Sequence, residues 1–316
     1  MNRFAKHIVI FLLPITCVLG LMEYGMRSVP NDYSYKHSRL DSSISRIRIW
    51  SFGSSHGLAG IRPEVFSVPA FNSAHVSQTL PYDAFLFDKY IDRADALEWV
   101  ILPISYFTFT DCLEEEYEWW RIKNYCLYYD CPLHRNEIQY RSEIIGNPMP
   151  LYQQVGRITR YLISGTDDIR CDSLGFDLHY CRERREPNWY MNGEERVRVN
   201  TKDLTRAQHC IMANKHSLEH IIDACAARNV KVLLLTLPVC STFYSNVDSA
   251  QQALVTETCN DLADRYSHVL YLDMLRDERF TEEDFFDADH LVTSGANKLT
   301  RILDEYIRLH PLPFNE

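Results

Sequence analysis

Two short polar stretches at opposite ends of the chain contain residue types that could perform acyl-transfer chemistry. The first, Gly53-Ser54-Ser55-His56, follows a run of strand-type residues. Glycine allows a sharp turn without a Cβ clash, so a serine just beyond it stands clear of the sheet with its own N–H free to face a bound oxygen. Small polar residues after a strand are also common turn formers, and from this stretch alone both interpretations stay open.

The second stretch places Asp287 three residues before His290, immediately ahead of a C-terminal amphipathic helix. Within one turn, the carboxylate can accept from one imidazole nitrogen and leave the other directed at a serine hydroxyl, as acyl-transfer catalysis requires. The alternative is an acidic, solvated lead-in to a helix N-terminus. Three aspartates would form that lead-in: Asp284, Asp287 and Asp289.

Together the two stretches resemble the SGNH, or GDSL-like, hydrolase superfamily, in which a G-D-S block follows the first strand and a D-x-x-H block precedes the last helix. The resemblance implies that Ser55 is the nucleophile, His290 the general base and Asp287 its orienting carboxylate. Asn72-Ser73-Ala74 resembles the N-x-G block of the family. The resemblance therefore assigns the oxyanion site to Ser55, Asn72 and Ala74, with the N–H groups of Ser55 and Ala74 as donors.

The G-x-N-D block of the family has its positional counterpart in Leu102-Pro103-Ile104-Ser105, which lacks the asparagine that would supply a side-chain oxyanion donor. Ser105 and His56 are expected to line the substrate pocket. Because His56 adjoins Ser55, its side chain should diverge from the hydroxyl and form part of the pocket wall.

Two functions stay open. The layout resembles a membrane-anchored branch of SGNH-like proteins associated with bacterial surface polysaccharides, which implies a serine esterase or O-acyltransferase acting on an acylated, extracytoplasmic carbohydrate. The altered G-x-N-D block favours the alternative, a catalytically inactive protein of the same fold that binds or assembles cell-surface polysaccharide.

Apolar runs that alternate with helical patterns predict the scaffold. Runs that are apolar on consecutive residues suit parallel strands covered on both faces. We therefore predict an α/β fold with three α/β/α layers and a parallel, flavodoxin-like sheet of about five strands. In this architecture ligands bind at the carboxyl ends of the strands, where Ser55, Ala74, Ser105 and His290 should converge. The predicted strands are 46–52, 70–72, 99–104, 230–237 and 268–273.

The N-terminus predicts a membrane anchor. Residues 8–22 form an apolar run that extends about 22 Å as a helix, and residues 24–26 can lengthen it toward the ~30 Å of a bilayer core. Arg3 and Lys6 precede the run, which places the folded domain across the membrane from the cytoplasm. A cleaved signal peptide is the alternative, but an A-x-A-like cleavage site is missing. The predicted location is the inner membrane, with one span and a periplasmic or extracellular domain.

The predicted organisation is an anchor over 1–26, a polar tether over 27–45 and an α/β domain over 46–316. Residues 110–201 form an irregular insertion, since periodicity weakens there and aromatic residues accumulate. Those aromatics could stack on sugar rings or cover an irregular lobe. In an oxidising compartment we expect at least one disulfide within the insertion. Its cysteines are Cys112, Cys126, Cys131, Cys171 and Cys181.

The composition limits the classes of molecule that the protein is expected to bind. The formal net charge of -10 argues against nucleic acid, because binding to phosphate backbones normally needs a basic surface. The cysteines show no zinc-type Cys-x-x-Cys spacing, and the glycines at 53, 57 and 60 do not form a dinucleotide fingerprint. We therefore expect neither a metal nor a cofactor.

Overall fold

A five-stranded, all-parallel sheet with helices on both faces organises the chain. The computed structural model describes residues 3–134 and 136–311. The strand order is β2-β1-β3-β4-β5, which is the flavodoxin-like order. The predicted three-layer α/β/α architecture is thus confirmed. The strands are β1 Ile49–Ser51, β2 Ala70–Asn72, β3 Trp99–Pro103, β4 Lys231–Thr236 and β5 Val269–Asp273.

Eleven α-helices connect or flank these strands in the described part of the chain. They are α1 Arg3–Ser28, α2 Asp32–Ser43, α3 Ser55–Gly60, α4 Leu80–Tyr90, α5 Ile122–Tyr128, α6 Leu151–Ser164, α7 Gly193–Asn200, α8 Gln208–Ala226, α9 Ser241–Tyr244, α10 Ser249–Arg265 and α11 Thr293–Leu309.

The central strands follow directly from their apolar runs. All five residues of β3 are buried, as are the last five of β4, and the two strands pair in register from Trp99 with Lys231 to Pro103 with Leu235. β1 is shorter than predicted, because a 3₁₀ turn (Ile44–Arg46) precedes it. At the edge of β1, Arg48 donates two hydrogen bonds of 2.8 Å to Glu98.

The chain divides into two compact units. The anchor unit comprises Met1–His37 and Glu118–Arg170, and the sheet unit comprises Ser38–Tyr117 and Cys171–Glu316. Residues 118–170 of the predicted insertion thus belong with the N-terminal helix, whereas 171–201 belong with the sheet. α2 occupies most of the segment predicted as a tether.

α1 is long and apolar enough to cross a membrane, and among the described residues it is the one helix that is. It extends six residues past Met22, the end of the apolar run. The predicted span is therefore present as a helix.

A disulfide joins Cys112 to Cys210 in the sheet unit, with their Cα atoms 5.5 Å apart. The sequence predicted a disulfide within residues 110–201, and the partner was wrong because Cys210 lies beyond the insertion, on α8. The 98-residue separation shows why spacing could not identify the pair. His209 lies beside this bridge, and the three side chains could also hold a metal ion if the cysteines were reduced.

Candidate functional site

A left-handed turn after β1 positions the serine loop. Gly53 has φ +104°, and a Cβ at this position would lie 3.2 Å from Pro103. The Gly53 N–H donates to Asp83 Oδ1 (3.0 Å), and its carbonyl accepts from the His75 N–H (3.2 Å). These bonds fix the turn, so that Ser55 becomes the first residue of α3. Its N–H, in the first helical turn, has no intrahelical acceptor.

Ser55, His290 and Asp287 form a chain of hydrogen bonds in that order, with His290 in the middle. Ser55 Oγ is 2.8 Å from His290 Nε2. On the other side of the ring, His290 Nδ1 is 2.9 Å and 3.0 Å from the two carboxylate oxygens of Asp287. Because a carboxylate can only accept, Nδ1 carries the proton and Nε2 is left to accept from the serine hydroxyl.

The Asp287 carboxylate also holds its own loop. Asp287 Oδ1 accepts from the backbone N–H groups of Asp289 (3.1 Å) and His290 (2.8 Å), and the Phe286 N–H donates to the His290 carbonyl (2.8 Å). This turn ends two residues before α11 begins at Thr293. The predicted D-x-x-H spacing is thus a structured turn, and the side chain that orients the imidazole also fixes its backbone.

The site is electrostatically biased toward a charged imidazole. Burial lowers the pKa of His290, but the negative charges of Asp287 and Asp289 outweigh burial and raise that pKa well above its ordinary value. Burial likewise raises the pKa of Asp289, and the charges of His290 and Arg196 reverse the effect and hold it well below its usual range. An imidazolium that forms after proton transfer is therefore stabilised here.

A second polar set lies behind His290. His56 Nε2 is 3.0 Å from Asp289 Oδ2, and His56 Nδ1 is 2.7 Å from Ser105 Oγ. Arg196 Nη2 donates to Asp289 Oδ2 at 3.0 Å, and Asp289 Oδ1 lies 3.4 Å from His290 Nδ1. The rings of His56 and His290 are perpendicular, with centroids 4.9 Å apart. Asp289 thus connects both histidines to one guanidinium.

The proton positions in this second set follow from its chemistry. Burial, partly opposed by Asp289, lowers the pKa of His56, so its ring is neutral. Its Nε2 must carry the proton because Asp289 only accepts, and Nδ1 then accepts from the Ser105 hydroxyl. His56 and Ser105 were predicted to line a substrate pocket. In the structure they are buried and bonded to each other, and their contact with substrate stays a prediction.

Two residues of segment 171–201 reach the site and were not identified from the sequence. Tyr180 stacks on His290 with ring centroids 4.9 Å apart, and its carbonyl accepts from the Thr293 N–H at the start of α11 (3.1 Å). Arg196 reaches Asp289 from α7. Neither lies in a recognisable motif. The only available signal was the accumulation of aromatic and arginine residues in the insertion.

Of the three predicted oxyanion residues, Asn72 and Ala74 are hydrogen-bonded to each other, whereas Ser55 is not part of that contact. Asn72 Nδ2 donates to the carbonyls of Gly57 (2.9 Å) and Ile61 (2.8 Å), and Asn72 Oδ1 accepts from the Ala74 N–H (2.9 Å). Asn72 therefore fastens α3 to the end of β2. The Ala74 N–H is engaged in this resting arrangement, which leaves the Ser55 N–H as the donor directed by α3.

His56, Asp289 and His290 offer ligand atoms within 4.8 Å of one another and could geometrically hold a metal ion. The Arg196 guanidinium already contacts Asp289, and His290 Nδ1 is directed at Asp287. A cation would have to displace both interactions. These residues therefore suit a hydrogen-bonded network better than a metal centre.

An α/β/α fold with a serine, a histidine and an aspartate hydrogen-bonded at the strand ends is an arrangement suited to acyl-transfer chemistry. No family model matches the chain, and no curated protein sequence matches it.

Two solved structures are similar in fold. One, from Streptococcus pneumonia and provisionally described as a platelet activating factor, is 14% identical over 97% of this chain and 99% of its own, with a TM-score of 0.41. The other, from Bacteroides fragilis and provisionally described as an acylhydrolase, is 10% identical over 87% of this chain and 95% of its own, with a TM-score of 0.40. The geometry of the site, and not these similarities, carries the functional conclusion.

Proposed function

We propose that the protein is a membrane-anchored, SGNH-like serine esterase or O-acyltransferase that acts on acyl groups of an extracytoplasmic glycan. The observation that carries the proposal is the Ser55–His290–Asp287 chain of hydrogen bonds, at 2.8 Å and 2.9 Å. A serine within reach of an imidazole that a carboxylate orients is the arrangement that activates a hydroxyl for attack on an ester carbonyl.

In the proposed mechanism Ser55 Oγ attacks the acyl carbonyl while His290 Nε2 takes its proton. The alcohol of the donor ester leaves with the proton that His290 returns, and an acyl-serine remains. Water or a sugar hydroxyl then attacks the acyl-serine, with His290 again as base, and Ser55 is regenerated. Asp287 keeps the proton on Nδ1 throughout and stabilises the imidazolium.

The oxyanion formed on the carbonyl oxygen would be held by the Ser55 N–H and, once it leaves Asn72 Oδ1, by the Ala74 N–H. Removing one oxyanion donor costs on the order of 10²- to 10³-fold in turnover in other serine enzymes. We therefore expect slow hydrolysis of simple esters. Positioning of a bound acceptor can recover several kcal/mol of the barrier, which favours transfer to a held glycan.

The same proposal places the sheet unit outside the cytoplasm, held by α1. The basic residues Arg3 and Lys6 precede the apolar run, and positive charge is retained on the cytoplasmic side. A C-terminal alkaline-phosphatase fusion should be active and a cytosolic fluorescent fusion dark. The reverse result would invert the topology and remove the extracytoplasmic function.

Labelling with a serine-directed fluorophosphonate tests the catalytic part. The full-length protein should be labelled at Ser55, as mapped by mass spectrometry. Labelling should be lost in Ser55→Ala and in His290→Ala but kept in the matched control Ser54→Ala, which alters the neighbouring serine. Release or transfer of acetate from acetylated glycans should follow the same pattern.

The second candidate function is a catalytically inactive protein that binds or assembles surface polysaccharide. The engaged Ala74 N–H favours it, because the resting site then offers fewer oxyanion donors. Wild-type protein that resists the fluorophosphonate and leaves acetylated glycans unchanged, yet binds them, would replace the enzymatic proposal with this one.

A further inference from the structure

Helix α6 of the anchor unit has buried polar side chains and exposed apolar ones. Gln154 and Arg157 are 3% and 8% exposed, whereas Leu162 and Ile163 are 76% and 81% exposed. An amphipathic helix that packs on a water-soluble domain has the opposite arrangement, with its apolar stripe facing the core. The exposed side of α6 is therefore adapted to a surrounding that is not water.

The exposed apolar side chains lie on one side of the helix, with the exposed Thr159 as the polar residue among them. At 3.6 residues per turn, positions i, i+1, i+4, i+11 and i+12 fall on the same side of a helix. In α6 these positions are Leu151, Tyr152, Val155, Leu162 and Ile163, all exposed. An exposed apolar face of this kind marks a membrane or protein contact.

A buried ionic network holds α6 with this face outward. Arg157 contacts the Asp168 carboxylate and lies 3.8 Å from Glu143 Oε2. Glu143 in turn forms an ion pair with Lys123 (3.0 Å) and accepts a hydrogen bond from the Tyr128 hydroxyl (2.7 Å). Rotating the apolar face inward would remove Arg157 from these partners and leave buried charges unpaired, which is strongly destabilising. The outward direction of the apolar face is thus fixed by the fold.

α6 packs against α1 where α1 would leave the membrane. A Cβ at Gly25 would lie 3.2 Å from Ile158 Cδ1, so glycine permits this close approach of the two helices. Gly25 lies three residues beyond Met22, the end of the apolar run, and the ion pair of Glu23 with Arg27 (2.7 Å) marks the polar layer there. Tyr24, at the same level, is exposed, as interfacial aromatic residues are.

We propose that the exposed face of α6 is a second membrane contact, which lies in the headgroup and acyl boundary of the leaflet from which α1 emerges. Its occupant is lipid, because α6 contacts α1 at the level where the apolar run of α1 gives way to a polar layer, and apolar helix faces of this type insert at that depth. The inference rests on the membrane location in the proposed function but not on catalysis.

Photo-crosslinking of the full chain in bilayer nanodiscs tests the inference. We would place p-benzoylphenylalanine at Leu162 or at Ile163, two exposed positions where the fold tolerates a new side chain. Leu309, at the end of α11, is a control of matched type and exposure (72%) in the sheet unit. Leu13, within α1, is the control for membrane insertion. Mass spectrometry of the adducts would identify the crosslinked molecule.

We expect lipid adducts at Leu13, Leu162 and Ile163 and none at Leu309. Lipid adducts at Leu13 but none at the two α6 positions would overturn the inference and leave the proposed anchor intact. Adducts from the α6 positions to a second copy of the chain would overturn it in favour of a dimer contact. Absence of lipid adducts at Leu13 as well would instead remove the membrane location on which the inference rests.

Discussion

The substitution Asp287→Asn separates the two tasks of the Asp287 carboxylate. Its Oδ1 accepts from the backbone N–H groups of Asp289 and His290, and an amide oxygen can keep both bonds, so the turn should fold. Oδ1 also lies 2.9 Å from His290 Nδ1, but an amide NH₂ in place of the other oxygen, 3.0 Å away, would face the Nδ1–H group. This repulsion weakens the preference for a proton on Nδ1, and a ring that carries its proton on Nε2 can no longer accept from Ser55.

The expected loss of rate depends on which acceptors lie close to His290 Nδ1. Complete loss of tautomer control costs about 10⁴-fold in the serine proteases, or roughly 5.5 kcal/mol. In this site Asp289 Oδ1 already lies 3.4 Å from His290 Nδ1 and can approach it. A hydrogen bond to a charged group contributes about 1.5–3 kcal/mol, which recovers roughly 10- to 100-fold. We therefore expect a loss of about 10²- to 10³-fold for Asp287→Asn.

The assay is the rate of fluorophosphonate labelling at Ser55, together with the low-field proton resonance of His290 Nδ1–H. The exposed Glu283→Gln, a matched carboxylate-to-amide change, should label at the wild-type rate. A full labelling rate in Asp287→Asn would refute the orienting role of Asp287. A loss as large as that of His290→Ala would refute the support assigned to Asp289.

Three further predictions concern the Ser55–His290 pair, its pH dependence and the packing of α3. Ser55→Ala and His290→Ala should each abolish labelling and ester hydrolysis. In ester hydrolysis the double variant should be little slower than either single variant, because such residues act as a unit. Additive losses of rate would contradict this. The labelling rate should rise with pH through the pKa of His290, because only the neutral ring accepts the Ser55 proton. Neighbouring carboxylates raise that pKa above the ordinary ~6.5. A pH-independent rate would exclude His290 as base. Gly57→Ala should lower the free energy of unfolding by about 1–3 kcal/mol in chemical unfolding, because its Cβ would lie 2.5 Å from the Phe52 carbonyl oxygen. Gly156→Ala, whose Cβ would have nothing within 4 Å, should be neutral or slightly stabilising. Equal changes in the free energy of unfolding would rule out the clash.

The sheet could be predicted because its strands are local patterns. β3 and β4 are continuous apolar runs, and the predicted ranges 99–104 and 230–237 contain the observed strands. β1 was predicted too long because Ile47, Ile49 and Phe52 are all apolar and buried, although only Ile49 belongs to the strand. Burial and strand pairing are separate properties, and an apolar residue reports only the first.

Local spacing alone predicts the site only where its residues share a motif, and the pairing of Ser55 with His290 came from the family resemblance. Asp287 and His290 are three positions apart, so one turn fixes their relation and the sequence could indicate it. Arg196 and Tyr180 reach the same imidazole from 94 and 110 positions away, through contacts that no local spacing encodes. His56 adjoins Ser55 in sequence, yet its ring points to Asp289, because successive side chains on a helix diverge.

The division of the chain into units has a consequence for the timing of synthesis. Glu23 of α1 accepts from the Ser142 hydroxyl and from the N–H groups of Glu143 and Ile144, which lie 119 to 121 positions later. At about 5 to 20 residues per second, these partners leave the ribosome on the order of ten seconds after Glu23 does. The first three strands of the sheet are made in that interval. A chain that stalls before residue 142 therefore contains α1 but lacks the groups that donate to Glu23, so the unit that α1 belongs to cannot be completed.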